Sequence, residues 1–397
     1  MAKATAKSNA LVIGAGNAGL GAAAMLRRAG MEVKVLERGT GVGASWRWRY
    51  DAMRLNSLAS MSGPPGLRVD RSYGPYPTRD QWVSHLERYA DCHRLHLEVG
   101  VEVNRVDRDG ECWRLQSSSG DHCASFVVVA TGLDVVPDMP EWSGSAGFTG
   151  RLIHAAEFHN AAYFVGQNIL VVGCGNSGSE IAYLLAEGGA DRVQLAVRTA
   201  PNIFPRFLLG LPLYPAAVVL EKLPTPVADS VGRLTQRVVY GDLSAYGLPF
   251  APLGAKSTVH QRGIGPTIEH GFVEAVKSGQ IQIVAAVDRF DDGDVVLSDG
   301  SRIQPDAVIA ATGYRIDLEP LVGHLVELDP FGRPIVGHDQ SAPGAPGLFF
   351  SGYWSGVCGP MRRMRLEARR IGRAVAHERQ SRRPYRWLRQ SLRTAPT

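Results

Sequence analysis

Cysteine is scarce in this sequence, and the spacing of the few cysteines argues against two common kinds of cysteine site. The 397 residues contain five cysteines, which are Cys92, Cys112, Cys123, Cys174 and Cys358. None of them forms a Cys-x-x-Cys or Cys-x-x-x-x-Cys pair, so the sequence signals neither a zinc site nor a redox-active disulfide. We therefore expect no metal centre, and we interpret Cys174 as a small packed residue.

An apolar segment long enough to cross a membrane is also missing. The longest apolar stretch, residues 207–220, contains Gly210, Pro212 and Pro215 and is too short to span a bilayer. No secretory or transit signal stands at the start of the chain, where residues 1–9 are rich in Lys, Ser and Ala and predict a disordered tail. We therefore expect a soluble, cytoplasmic protein with no membrane span.

Charge of one sign is only moderately in excess, with a net charge of +5. A chain of this length and ordinary hydrophobic content should hold two domains. Much of the arginine follows Met361, which favours a solvated helix face and a basic tail, with a membrane-surface or nucleic-acid contact as the alternative. We expect no nucleic-acid partner, and the sequence leaves a homodimer open. The arginines are Arg362, Arg363, Arg365, Arg369, Arg370, Arg373, Arg382, Arg383, Arg386, Arg389 and Arg393.

Glycine, in contrast, is plentiful, and one glycine cluster follows the first apolar strand. Gly14-Ala-Gly16-Asn-Ala-Gly19 comes after strand residues 10–13 and opens a helix predicted over residues 17–28. The glycines permit a tight turn, approach of a pyrophosphate to the backbone, and packing of helix on strand. Glu37 ends the next strand, where it can accept hydrogen bonds from ribose hydroxyls. This combination predicts a nucleotide site, with an ordinary βα turn as the alternative.

A second cluster, Gly173-Cys-Gly175-Asn-Ser-Gly178, repeats this pattern after strand residues 169–172. The strand that follows, residues 193–197, leads into Arg198 where the first unit has an acid. A guanidinium can pair with a 2′-phosphate, which a carboxylate would repel. The second unit is therefore predicted to prefer NADP(H) to NAD(H), with a surface arginine as the alternative.

The stretch between the two clusters reads Phe148-Thr-Gly150-Arg-Leu-Ile-His154-Ala-Ala-Glu-Phe158 and resembles the FxGxxxHxxxF motif of class B flavin-dependent monooxygenases. Within that family the sequence is most similar to the YUCCA-like branch. Further similar stretches are residues 76–81, 171–178, 276–279 and the pair Pro205-Arg206. The resemblance covers nearly the whole chain.

The resemblance implies an α/β fold of two dinucleotide-binding, Rossmann-like domains, with an FAD domain split by an inserted NADPH domain. We expect the FAD domain to comprise residues 1–147 and 313–397 and the NADPH domain to comprise residues 148–312. The tripeptides ending at Gly132 and Gly313 would be the crossing strands between them. The proline-rich residues 201–256 would be an irregular insertion with scattered helical runs that covers a site or forms an access channel.

The mechanism implied by the resemblance starts with reduction of FAD by NADPH. Oxygen would then add at flavin C4a, with NADP⁺ retained to protect the adduct, while the protein supplies position, electrostatics and exclusion of water. Asn56 is matched to an asparagine near flavin and nicotinamide, with a turn or capping role as the alternative. Trp46 is compatible with both a flavin-proximal and a core position. His154 is expected to hold the domains together rather than act as a base.

The cofactor contacts are expected from a set of residues in both glycine clusters, the strand ends and the flavin-proximal segment. They are Gly14, Gly16, Asn17, Ala18, Gly19, Glu37, Arg38, Ser45, Trp46, Val103, Ala130, Thr131, Gly132, Gly173, Gly175, Asn176, Ser177, Gly178, Arg198, Ala311, Thr312 and Gly313.

The substrate and two rival functions remain open at this point. The sequence departs from the family at His159, where Lys or Pro is usual, and it lacks the Trp-Pro ending of Baeyer–Villiger enzymes. The small organic substrate could be an N or S nucleophile, or a 2-oxo acid or other carbonyl. An electron-transfer or disulfide reductase is the alternative, although the latter needs a thiol pair. A binding or regulatory protein without turnover is a third class.

Overall fold

The computed structural model describes residues 7–391, with side chains described for residues 10–380. The strands in this part of the chain are β1 (Lys7–Ile13), β2 (Val33–Glu37), β3 (His96–Val99), β4 (Val103–Asp109), β5 (Cys112–Ser117), β6 (His122–Val129), β7 (Val136–Pro137), β8 (Arg151–His154), β9 (Asn168–Val172), β10 (Arg192–Ala196), β11 (Ile203–Pro205), β12 (Phe207–Leu208), β13 (Leu211–Pro212), β14 (Thr267–Glu269), β15 (Ile281–Val284), β16 (Val287–Asp291), β17 (Asp294–Leu297), β18 (Arg302–Ile303), β19 (Ala307–Ala310), β20 (Tyr314–Arg315), β21 (Ser341–Ala342) and β22 (Ala345–Phe350).

The α-helices include two long ones that follow the glycine clusters and a long one that ends the described chain. They are α1 (Asn17–Arg28), α2 (Ala44–Arg47), α3 (Ala59–Ser62), α4 (Arg79–Cys92), α5 (Asn176–Glu187), α6 (Tyr214–Leu220), α7 (Thr225–Tyr240), α8 (Ala255–Arg262), α9 (Phe272–Lys277), α10 (Glu319–Val322) and α11 (Met361–Ser391). Within the described residues, no helix is both long and apolar enough to cross a membrane.

The first sheet has eight strands, and its main path runs β21-β22-β6-β1-β2-β3. Strands β22, β6, β1, β2 and β3 pair in parallel, while β4 and β5 form an antiparallel extension from β6. Helix α1 returns from β1 to β2 and packs against α11. Both faces of β1 are buried in apolar clusters, because alternate residues of the strand point to opposite sides.

The second sheet has five parallel strands in the order β15-β10-β9-β19-β8. The chain leaves the first sheet after β6, enters the second at β8, and returns to the first at β21 and β22. The antiparallel pair of β7 and β20 joins the two crossing segments. The predicted α/β fold of two Rossmann-like units, with the first interrupted by the second, is confirmed.

Several local predictions are corrected by tertiary contacts. Residues 7–9 belong to β1, pairing with β6, so only residues 1–6 of the predicted tail lie outside the description. Residues 201–256 contain the predicted helical runs, as α6 and α7, and also the short strands β11, β12 and β13, which were not predicted. Helix α11 runs to Ser391 and so includes part of the predicted basic tail, while Arg393 and the side chains of Arg382, Arg383, Arg386 and Arg389 lie outside the description.

The cysteine spacing did not predict the disulfide that Cys112 and Cys123 form. The two residues lie on the neighbouring antiparallel strands β5 and β6, with their Cα atoms 6.2 Å apart. A hairpin can bring together cysteines that no short motif connects, which is why spacing along the chain did not reveal the pair. Cys174 is buried and free, as expected.

Candidate functional site

The first glycine cluster forms a tight turn between β1 and α1. Gly14 has a φ of 105° and its amide donates to the Leu36 carbonyl at 2.7 Å. A side chain at Gly14 would collide with the Ala130 carbonyl, and one at Gly19 would collide with the Gly14 carbonyl. At Gly16, in contrast, an added Cβ would meet no atom within 4 Å. The turn is therefore packed against backbone at Gly14 and Gly19. It is open to a ligand at Gly16, where the first amides of the helix point.

The second cluster repeats this geometry between β9 and α5. Gly173 has a φ of 102°, and a side chain there would lie 2.7 Å from the Ala311 carbonyl. Gly178 packs against the Gly173 carbonyl, while Gly175 again faces open space. The residues that cap the two helices, Gly16 and Gly175, have φ values of −85° and −80°. The chain thus builds the same open helix N-terminus twice.

As the sequence predicts, an acidic residue ends β2 in the first unit, and a basic residue follows β10 in the second. The Glu37 carboxylate accepts from the amides of Ala15 at 2.6 Å and Gly39 at 2.7 Å, which fixes it beside the first turn. Arg198 follows β10, is exposed, and has no hydrogen-bond or ion-pair partner among the described residues. Its guanidinium is therefore free to meet an anion beside the second turn.

The other predicted contacts of the first unit differ in their surroundings. Arg38 is exposed and pairs with Glu102 at 3.4 Å, next to Val103 on β4. Ser45 and Trp46 lie in the short helix α2, where Ser45 is exposed and the Trp46 ring meets the Trp82 ring edge-on at 6.2 Å. Trp46 is therefore half-buried against the core of the first unit, which is compatible with both of the positions predicted for it.

The two crossing tripeptides lie directly beside the glycine turns. The Ala130 amide donates to the Ile13 carbonyl, and the Ala311 amide donates to the Val172 carbonyl at 2.8 Å. Gly132 and Gly313 have φ values of 97° and 92°, a region that favours glycine. The threonines of the two tripeptides bond to segments distant in the chain. Thr131 bonds to the buried Tyr353 hydroxyl at 2.8 Å, and Thr312 donates to the Asp138 carbonyl.

The loop containing Asn56 runs between the two open helix ends. The Asn56 Nδ2 atom donates to Asn176 Oδ1 at 3.2 Å, and Asn176 is the first residue of α5. Farther along the same loop, the Ser62 carbonyl accepts from Asn17, the first residue of α1, at 3.5 Å. Ser177 follows Asn176 in α5, just as Ala18, which is buried, follows Asn17 in α1. One segment therefore contacts both glycine turns, and Asn56 makes its contact on the side of the second turn.

Arg206 also contacts Asn56, between the two glycine turns. The sequence pointed to it only as part of the pair Pro205-Arg206, which resembles the family. It follows β11 and is 7% exposed, and its Nη2 atom donates to Asn56 Oδ1 at 2.8 Å. The guanidinium carbon lies 5.0 Å from the centre of the Tyr76 ring. Burial lowers the pKa of Arg206 from its ordinary value, whereas the charge of Glu180 acts in the opposite direction.

The stretch from Phe148 to Phe158 is more than a linker, because residues 151–154 form β8 at the edge of the second sheet. Gly150 must be small there, since a side chain would lie 2.6 Å from the Asp306 carbonyl and also meet the Phe148 ring. His154 is 2% exposed and both ring nitrogens are used. Nδ1 accepts from the Ala156 amide at 3.1 Å, so the ring is assigned as neutral, with Nε2 donating to the Gly313 carbonyl at 3.0 Å.

His154 is thereby bonded to the second crossing segment rather than directed at an open space. Burial lowers the pKa of His154, which favours the neutral ring. Phe158 is 1% exposed and meets the ring of Tyr50, from the loop after β2, at 6.0 Å. The motif residues thus contact segments of both units, as a role in holding the units together requires.

A buried polar group beside this contact was not predicted from the sequence. The Tyr50 hydroxyl donates to Glu180 Oε2 at 2.7 Å, and His270 lies 3.2 Å from Glu180 Oε1. Glu180 is 4% exposed and projects from α5. Burial and the neighbouring carboxylate raise the pKa of Tyr50 well above its ordinary value. A helical acid with no charged neighbour in the chain gives no local signal of such a contact.

The two open turns fit dinucleotides and show no sign of a metal centre. Each turn could offer its helix amides to a pyrophosphate, and Glu37 at the end of β2 and Arg198 after β10 could meet the adenosine end of a dinucleotide. Among residues 7–391, no cluster of three or more His, Cys, Asp or Glu side chains could hold a metal ion. The two helix N-termini are therefore the candidate nucleotide sites, and the segment from Asn56 to Ser62 contacts both of them.

Comparison with known proteins agrees with this geometry. The family model described as flavin-binding monooxygenase-like matches residues 113–329, and that of pyridine nucleotide-disulphide oxidoreductases matches residues 11–204. The chain is 32% identical to a probable indole-3-pyruvate monooxygenase, YUCCA9, of Arabidopsis thaliana, over 86% of this chain and 83% of that protein. It is 33% identical to the indole-3-pyruvate monooxygenase YUCCA1 of Oryza sativa subsp. japonica, over 77% and 76%.

A solved structure shows the same fold at lower identity. The flavin-containing monooxygenase from Stenotrophomonas maltophilia has a TM-score of 0.69 and 23% identity, covering 94% of this chain and 99% of that chain. The chain therefore belongs to the flavin-binding monooxygenase-like family, whose members are FAD- and NADPH-dependent monooxygenases.

Proposed function

We propose that this enzyme is an NADPH- and O₂-dependent monooxygenase that acts through a C4a-(hydro)peroxyflavin on a small organic substrate. Of the substrate classes left open by the sequence, a 2-oxo acid or other carbonyl is favoured over an N or S nucleophile. The support comes from the relatives named for indole-3-pyruvate, which is a 2-oxo acid. An NADPH-dependent reductase without oxygen insertion remains the alternative.

The observation that carries the proposal is the contact of one loop with both glycine turns. Asn56 reaches Asn176 at the second turn, and Ser62 meets Asn17 at the first. Two dinucleotides bound at these turns would direct their reactive ends toward the same loop, as hydride transfer between them requires. We assign FAD to the unit of residues 1–147 and 313–397, and NADPH to residues 148–312.

The chain's own residues would then have distinct tasks. The amides at Gly16 and Gly175 would bind the pyrophosphates, Glu37 would bind the FAD ribose, and Arg198 would bind the 2′-phosphate of NADPH. Asn56 would place its amide beside the reacting rings. Bound FAD supplies the redox chemistry, and the buried contacts of Phe158 and Tyr50 would keep the two units together around it.

The experiment follows labelled oxygen. Purified enzyme with FAD, NADPH and indole-3-pyruvate under ¹⁸O₂ should yield a product with one ¹⁸O atom by mass spectrometry. A panel with an N nucleophile, an S nucleophile and a neutral ketone would separate the substrate classes. Oxidation of NADPH without label in any product, and with no transient flavin adduct in stopped-flow absorbance, would support the reductase instead.

A further inference from the structure

The buried cation at the junction of the two units has no anion to balance it. Arg206 is 7% exposed, and its Nε atom has no hydrogen-bond partner among the described residues. Of the guanidinium nitrogens, Nη2 is occupied by the neutral acceptor Asn56. A buried ionised group normally has both a counter-charge and a full set of hydrogen bonds, because its desolvation is costly.

Glu180, the carboxylate whose charge acts on Arg206, already has other hydrogen-bond partners. Within the described residues, Arg206 forms no ion pair, and Glu180 influences it only from beyond ion-pair distance. Both Glu180 oxygens have partners, which are the Tyr50 hydroxyl and the His270 ring. Arg54 adds a further positive charge near Arg206. The surroundings of the guanidinium therefore favour an incoming anion.

Arg206 is also held in place before any ligand arrives, through its backbone as well as through the bond from its guanidinium to Asn56. The Arg206 amide donates to the Glu269 carbonyl on β14, and the Arg206 carbonyl accepts from the Leu213 amide at 3.1 Å and from the Tyr76 hydroxyl at 3.0 Å. The Tyr76 ring lies beneath the guanidinium. A fixed fork of donors on an aromatic face suits a planar carboxylate, and little ordering is needed on binding.

We propose that Arg206 binds a carboxylate of the substrate, with Nε and the remaining guanidinium hydrogens as donors and Asn56 keeping Nη2 in position. This inference rests on the proposed function, since it names a group on the substrate of the same site. It makes Arg206 the residue that selects 2-oxo acids over neutral ketones. The bound acid would lie next to Asn56, between the two nucleotide turns.

An NADPH phosphate is the other anion that could reach this place. The pyrophosphate, however, already has the amides of the second turn, and Arg198 is free for the 2′-phosphate. Arg206 lies on the Asn56 side of Asn176, toward the first unit. We therefore assign it to the substrate, and the experiment separates the two anions.

The test measures binding rather than turnover. The probes are indole-3-pyruvate and 1-(indol-3-yl)propan-2-one, in which a methyl group replaces the carboxylate, titrated into the oxidised holoenzyme with NADP⁺ and followed by flavin absorbance. Arg206→Gln should raise the Kd of the acid by about 10- to 100-fold, as expected for lost hydrogen bonds between charged groups. The Kd of the ketone should change less than about threefold, and Arg206→Lys should lose less than Arg206→Gln.

Two controls decide between the explanations. Arg192→Gln removes an exposed positive charge at the start of β10, away from Asn56, and should leave the ratio of the two Kd values near that of the wild type. The NADPH concentration dependence of anaerobic flavin reduction should also be unchanged in Arg206→Gln. Equal weakening of acid and ketone, or a loss confined to NADPH, would overturn the proposal.

The wild-type enzyme gives a test that needs no variant to fold. It should bind the acid at least about tenfold more tightly than the ketone, and equal affinities would also overturn the proposal. Because binding is measured without oxygen transfer, a selective Arg206 in an enzyme that incorporates no ¹⁸O would refute the proposed function alone. Labelled product from an enzyme that binds the acid and the ketone with equal affinity would refute this inference alone.

Discussion

Single residues in this protein are defined by what surrounds them as much as by their type. Gly16 and Gly150 are both glycines of recognised motifs, yet one faces open space and the other is enclosed by the Asp306 carbonyl and the Phe148 ring. Arg198 and Arg206 are both arginines near the second turn, yet one is exposed and the other buried. Each pair predicts different consequences of substitution.

Arg198→Ala should change the choice of nicotinamide cofactor. The exposed guanidinium beside the second turn is expected to bind the 2′-phosphate, which NADH lacks. We expect kcat/KM for NADPH to fall about 10- to 100-fold while that for NADH changes little, measured as anaerobic flavin reduction. Arg192→Ala, at the other end of β10, is the matched exposed control. Equal losses with both cofactors would remove Arg198 from phosphate recognition.

Gly150→Ala should destabilise the protein through a steric clash at β8. The added Cβ would lie 2.6 Å from the Asp306 carbonyl, and backbone cannot yield as a flexible side chain can. We expect a loss of about 1–3 kcal/mol in the free energy of unfolding, measured from urea midpoints by tryptophan fluorescence. Gly147→Ala is the control, because a side chain there meets nothing within 4 Å. Similar midpoints for both variants would contradict the packing explanation.

At the scale of elements, a local sequence pattern sets the start of helix α4, whereas tertiary packing decides which of its faces is buried. The helix begins at Arg79, because Thr78 and Gln81 form a capping box at its start. The sequence did not show which face of α4 is buried. His85 is fully buried against Trp82, and neither ring nitrogen has a hydrogen-bond partner in the described structure.

The buried histidine of α4 should make the protein acid-sensitive. Burial, with a smaller contribution from Arg88, lowers the pKa of His85 to about 4, whereas an unfolded histidine has a pKa near 6.5. The folded state therefore binds fewer protons between these values, so stability is full above about pH 6.5 and falls as the pH approaches 4. From pH 7.5 to 5.0 the loss should be about 2 kcal/mol.

Urea midpoints at the two pH values test this expectation. His85→Leu removes the titrating ring without leaving a hydrogen-bond partner behind, so its midpoint should fall less on acidification than that of the wild type. His96→Leu replaces an exposed histidine on β3 and should retain the full decrease. An unchanged pH dependence in His85→Leu would show that other groups cause the acid sensitivity.

At the scale of the whole molecule, the site exists only because two separately formed sheets meet. Each sheet presents a glycine turn at the carboxyl end of its strands, as open parallel sheets do. The contacts that join them come from Asn56 and Tyr50 on one side and Asn176, Glu180 and Phe158 on the other. None of these side chains is predicted to meet another by spacing along the chain.

Tyr50→Phe should weaken the contact between the two units. It removes the donor to Glu180 and leaves a buried carboxylate oxygen without its bond, which typically costs about 1–3 kcal/mol. The urea midpoint should decrease accordingly. Tyr163→Phe removes a hydroxyl from a residue that is 69% exposed and should have no measurable effect. Equal midpoints for the two variants would mean that the Tyr50 bond does not stabilise the interface.

The sequence alone determined the class of fold, the two glycine turns, the acidic and basic residues that follow them, and the family. These features depend on local geometry and on periodic burial, which neighbouring residues encode. Only the tertiary structure decided that residues 151–154 join a sheet, that Cys112 meets Cys123, and that Arg206 is buried beside Asn56. Such contacts depend on the packing of segments distant in the chain, and the free energy of burial that selects them has no signature in any short stretch of residues.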